Sequence, residues 1–172
     1  MSAITTLPDA ISVGSDILSV RLGEACRARG VQLTTAESCT GGGVASAITD
    51  VAGSSAYFET GYVTYSNAAK QRLLGVGDET LSLCGAVSAE TVREMVAGAC
   101  RDSGAGLGVA ISGVAGPGGG SAEKPVGTVW FAWGDERSQT TRCYRLSGNR
   151  QQVREVAVAL ALHGLLEQLD AG

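Results

Sequence analysis

The chain has 172 residues, a net charge of −4 and a pI near 5.0. That length suits one domain able to bury roughly 70% of its unfolded surface, so no disulfide or metal staple is needed. The acidic balance excludes a general attraction to nucleic acid, and any anionic ligand is expected to be held by local groups.

Taken in chain order, residues 1–10 read as a loose arm and residues 11–172 as a single domain. Residues 11–30 carry apolar positions at Ile17, Val20, Leu22 and Ala25, which predicts a helix ending at Gly30. The β-branched stretch 31–37 predicts a strand. Three glycines follow, then a helix over 44–53 closed by Gly53. The alternating, aromatic segment 57–66 predicts a second strand, and 67–75 a short helix capped by Ser66 or Asn67. A helical period runs from Ser88 to Gly104, and a buried strand spans 107–112. A second glycine loop occupies 113–120. Segments 126–134 and 139–148 predict a hairpin, and 149–170 a long amphipathic helix. Helices alternating with strands, with a hairpin late in the chain, predict an α/β layered domain with a mixed sheet packed between helices.

Five cysteines and one histidine, with no CxxC pair, speak against a disulfide framework or a metal site. The N-terminus lacks a basic stretch followed by an apolar one, and no apolar run is long enough to span a bilayer. These features predict a cytoplasmic protein with reduced thiols and no membrane partner.

Both glycine loops lie beyond the C-terminal end of a predicted strand, where open α/β sheets bind ligands. In the first, "TTAESCTGGG", Ser38 or Thr40 can cap the helix that follows, or Ser38 can be a nucleophile. A nucleophile needs a base. His163 sits inside the last, largely apolar helix, so the candidate is a lysine, and only Lys70 and Lys124 exist. Lys70 falls in the first turn of its predicted helix, where dipole and burial both lower a lysine pKa. A solvated surface lysine is the alternative. Cys39 is a rival nucleophile but reads more readily as packing. The second loop is neither a Walker motif nor a GxGxxG opening a helix. It is a flexible connection or a backbone cradle for a phosphate, with Ser112 projecting from the strand end.

The segments "AESCTGG", "YSNAAK" and "GVAGPGGG" occur in this order, and together with their surroundings over residues 12–170 they resemble the CinA C-terminal domain family. The resemblance implies hydrolysis of the carboxamide of nicotinamide mononucleotide to nicotinate mononucleotide and ammonia, without metal or organic cofactor. It implies Ser38 as nucleophile, with Tyr65 and Lys70 at the positions of the family's tyrosine and lysine. Ser112 stands where the family usually has threonine. The implied oxyanion and substrate-binding set is Cys39, Thr40, Gly41, Gly42, Ser112, Gly113, Gly116, Gly118 and Gly119, with bare N–H groups at the helix start stabilising the oxyanion. An arginine for the phosphate is not evident. The resemblance and the apolar last helix together suggest a homo-oligomer. A non-catalytic nucleotide-binding module, or an amidase for another carboxamide, would share these residues.

Overall fold

A computed structural model describes residues 3–172. Six α-helices flank one five-stranded sheet: α1 (Ser15–Arg29), β1 (Leu33–Glu37), α2 (Gly43–Thr49), β2 (Phe58–Val63), α3 (Asn67–Leu74), α4 (Asp78–Cys84), α5 (Ala89–Ser103), β3 (Leu107–Gly113), β4 (Thr128–Gly134), β5 (Gln139–Arg145) and α6 (Arg150–Ala171). The strand order is β2-β1-β3-β4-β5. β1 pairs parallel with both β2 and β3, whereas β4 runs antiparallel to β3 and β5. This is the mixed sheet between helices that the element pattern predicts. Among the described residues, no helix is long and apolar enough to cross a membrane.

The two faces of the sheet carry separate cores. Leu22, Val44, Phe131, Trp133 and Leu162 belong to a cluster shared by α1, α2, α6 and the sheet. Val92, Met95, Val96 and Ala110 belong to the second, beneath α5. β1 is buried along its whole length because both faces are covered, which explains its lack of polar alternation. Gly164 lets α6 settle on the sheet: a Cβ there would lie 2.1 Å from Trp133, whose indole Nε1 donates to the Ala161 carbonyl at 3.0 Å. Gly98 plays the same part between α5 and the end of α3, where a Cβ would meet the Leu74 carbonyl oxygen.

Two readings are corrected, and one helix is added. α1 exists, but Ile17 and Val20 are exposed, and the buried face is Leu18, Ser19, Leu22, Gly23 and Cys26. The small residues Ser19 and Gly23 carry no apolar signal. Gly23 is a close-approach position, since a Cβ there would lie 2.5 Å from the Tyr57 hydroxyl. Residues 1 and 2 of the arm expected to be loose lie outside the described residues, and the rest is tied to the sheet: Thr5 N donates to the Cys143 carbonyl at 2.7 Å, beside an Ile4–Cys143 bridge. α4 was not foreseen, because its seven residues span too few turns to display a period.

Candidate active site

The sequence of β1 leads directly into the site. Ser38 follows the strand, and its amide donates to the Ile111 carbonyl of β3 at 3.0 Å. The chain then turns sharply, with Gly41 and Gly42 at φ of 59° and 97°, values open to glycine and costly for other residues. Across the sheet, β2 ends and Ser66 caps α3, its side chain accepting from Ala69 N at 3.1 Å. The cap sets the helix so that Lys70 points inward.

Lys70 is 1% exposed. Its Nζ lies 2.9 Å from Ser38 Oγ, 2.7 Å from the Thr64 carbonyl and 3.4 Å from the Tyr65 carbonyl. The reading of a solvated lysine is therefore overturned. Burial leads the fall of its pKa from 10.5 to about 8. No carboxylate is among its hydrogen-bond partners. A neutral amine has two N–H donors and one lone pair. In that form the two carbonyls can accept the donors and the lone pair can accept the Ser38 hydroxyl proton, whereas the ammonium form donates to all three oxygens. Cys39 is different: burial pushes its thiol up to about 11, so near neutral pH it is a thiol and a poor nucleophile.

The dyad opens on a cavity of about 320 Å³ lined by Ser38, Cys39, Lys70, Ser112 and the second glycine loop. That volume lies at the lower end of small-molecule sites, about 300–1,000 Å³. Gly113, Gly116, Gly118 and Gly119 all line it. Their reasons for being glycine differ. A Cβ on Gly113 would strike β4 and one on Gly116 would strike Val126, whereas one on Gly118 would enter open space. Among the described residues, the amides of Ala115, Gly116, Gly118, Gly119 and Gly120 donate to no protein acceptor. All five residues line the cavity.

Not every expected residue reaches the cavity. Thr40, Gly41 and Gly42 do not line it. The three consecutive glycines serve the turn and its packing instead. Gly43 lies against α6, where a Cβ would sit 2.9 Å from Val158, and one on Gly41 would sit 3.2 Å from the Arg154 guanidinium. The helix-start amides are also occupied: Val44 N and Ala45 N donate to the Glu37 carboxylate at 2.8 and 3.0 Å, and Gly43 N to the Thr40 carbonyl at 3.0 Å. Among the described residues, the amide of Cys39, next to Ser38 and at the cavity, donates to no other residue. Tyr65 does line the cavity, and its carbonyl accepts from Lys70. Its ring is 62% exposed, and its hydroxyl accepts from Arg150 at 3.0 Å, away from Lys70. His163 sits in α6 beside Glu167, outside the cavity.

Sequence reasoning missed Arg150 and Glu37. Arg150 opens α6 and lines the cavity, donating to the Gly116 carbonyl at 2.8 Å. A cation in a first helical turn opposes the helix dipole, and that was the available signal. Lys124, the other lysine, donates to the Cys84 carbonyl at 2.7 Å and ties the segment after the glycine loop to α4.

A layered α/β domain with a buried serine–lysine pair beneath a glycine-walled cavity is the architecture these residues define, and the family model of the CinA C-terminal domain matches residues 16–169. The chain belongs to that family. It is 57% identical over 150 residues to the nicotinamide-nucleotide amidohydrolase PncC of Pseudomonas putida, covering 87% of this chain and 94% of that protein. It is 56% identical over 152 residues to the protein of the same name from Escherichia coli K12, covering 88% and 92%. A crystal structure of a CinA superfamily protein from Klebsiella pneumoniae superposes with a TM-score of 0.89 at 43% identity, covering 92% of this chain and 99% of that one.

Proposed function

We propose that this protein is an amidohydrolase that converts nicotinamide mononucleotide to nicotinate mononucleotide and ammonia, with Ser38 as nucleophile and Lys70 as general base. The substrate is taken from the names of the relatives. The mechanism rests on one observation above all, the 2.9 Å approach of a buried Lys70 amine to Ser38 Oγ.

Neutral Lys70 takes the Ser38 proton as Oγ attacks the carboxamide carbon. The positive ring nitrogen of the substrate makes that carbon more electrophilic. The oxyanion faces the Cys39 amide. Protonated Lys70 then delivers its proton to the departing nitrogen, the C–N bond breaks, and ammonia leaves. The resulting ester on Ser38 is hydrolysed by water, with Lys70 again accepting a proton and returning it to Oγ. The substrate phosphate lies against the free amides of the glycine loop and Arg150, which supply the local positive field that an acidic protein otherwise lacks.

The test compares nicotinamide, its riboside and its mononucleotide in one ammonia assay. Remote binding energy from the phosphate should place the carboxamide, so the mononucleotide should have by far the highest kcat/KM. Equal efficiency for riboside and mononucleotide would remove the phosphate assignment. Binding of the mononucleotide with no ammonia released would favour a nucleotide-binding module.

A further inference from the structure

We infer that Glu37, the residue before Ser38, is a positioning residue that holds both halves of the serine–lysine pair in register. This rests on reading Ser38 as the nucleophile. Glu37 is fully buried, and such a carboxylate is costly unless its oxygens are hydrogen-bonded. Oε1 accepts from Val44 N at 2.8 Å and Oε2 from Ala45 N at 3.0 Å. The side chain thus bridges the two ends of the 38–43 turn, from the strand before it to the helix after it. Capping alone does not require this reach, because a short polar side chain at the N-cap normally accepts from the first turn. Here the N-cap is Gly42, which has no side chain. Arg154 grips the same turn from outside, donating to the Cys39 and Thr40 carbonyls at 3.0 and 3.2 Å.

The main chain of Glu37 reaches the other half. Its carbonyl accepts from Thr64 N at 2.9 Å, and the Thr64 carbonyl in turn accepts from Lys70 Nζ at 2.7 Å. One residue therefore fixes the turn that carries the hydroxyl and the strand end that carries the amine's acceptor. Glu37 does not line the cavity, so its effect falls on alignment and not on substrate binding.

The test uses the whole protein with Glu37→Gln, which keeps the shape but turns an NH₂ group toward one of the two amide donors. The readouts are kcat, KM and the rate at which a fluorophosphonate labels Ser38, followed by mass spectrometry. Misplacement of a reacting group on the order of 1 Å costs about 10²-fold. We expect kcat and labelling to fall together by about 10- to 100-fold. KM should stay unchanged, and the pH limb set by Lys70 should remain near 8. Ala45→Pro removes one donor while keeping the carboxylate, at the third residue of α2, whose N–H has no intrahelical acceptor to lose. It should lower both rates in the same direction, and it decides the matter if Glu37→Gln does not melt cooperatively. Wild-type labelling and kcat in either folded variant, or a change in KM alone, would overturn the inference. A wild-type enzyme that turns over but is never labelled at Ser38 would instead remove the nucleophile reading, and this proposal with it.

Discussion

In the proposed mechanism the ionisation of Lys70 sets the activity in a way that can be calculated. Burial lowers its pKa from 10.5 to about 8, and the proposed base is the neutral amine. Activity should therefore rise with pH through about 8. On that value the neutral fraction is about a hundredth at pH 6, about a tenth at pH 7 and about half at pH 8. The profile of kcat/KM should thus fall about tenfold from pH 7 to 6, and rise about fivefold from pH 7 to 8 before levelling. The riboside serves as a control, since it lacks the phosphate whose own second ionisation lies near 6. Lys70→Met should lower kcat by about 10²- to 10⁴-fold with little change in KM. Stability supplies an independent check. Between about 8 and 10.5 the unfolded lysine keeps a proton that the folded one has released. The unfolded state binds more protons there, so wild-type stability gains from rising pH in that window. The difference in Tm, variant minus wild type, should accordingly shrink from pH 7 to 10. A flat rate profile between pH 6 and 8, or a limb near the ordinary lysine value, would refute a buried lysine base.

Other outcomes follow from the cavity walls. Arg150→Ala removes a charge-assisted contact worth about 1.5–3 kcal/mol, so KM for the mononucleotide should rise about 10- to 100-fold while the riboside is little affected. Gly118→Val places its side chain in open space, so Tm should hold while kcat/KM for the mononucleotide falls. Tyr65→Phe should cost less than about tenfold in kcat, below the range for removing a general acid or base, because the hydroxyl faces Arg150 and not Lys70. Gly164→Ala overpacks Trp133 at a cost of about 1–3 kcal/mol, which should lower Tm by several degrees without changing KM.

Much of the fold is legible because its signals are local. The Ser66 cap, the Gly75 stop of α3 and the Asn149–Gln152 capping box lie within a few residues of the elements they bound. The serine after β1 could be placed for the same reason. The burial of Lys70 could not. It depends on the meeting of three separate segments, the turn after β1, the end of β2 and α3, and no spacing within "YSNAAK" encodes that meeting. Arg150 was hidden similarly, since its partners Gly116 and Tyr65 come from distant parts of the chain. The glycine run misled in a more specific way. Bare backbone at 41–43 suggests room for a ligand, but the space is faced by Arg154 and Val158 of α6 and Val63 of β2, and the helix-start amides are taken by Glu37. A glycine states that a side chain would not fit, and only the fold shows what stands in its place.

The most direct measurement is ammonia released from nicotinamide mononucleotide by the purified wild-type protein and by Ser38→Ala, whose fold is checked by its melting curve. A covalent nucleophile predicts one ammonia per nicotinate mononucleotide formed by the wild type. It predicts a rate at least about 10³-fold lower in the variant. No ammonia from the wild type would contradict the assigned reaction. A variant retaining a substantial share of wild-type turnover would contradict Ser38 as the attacking group.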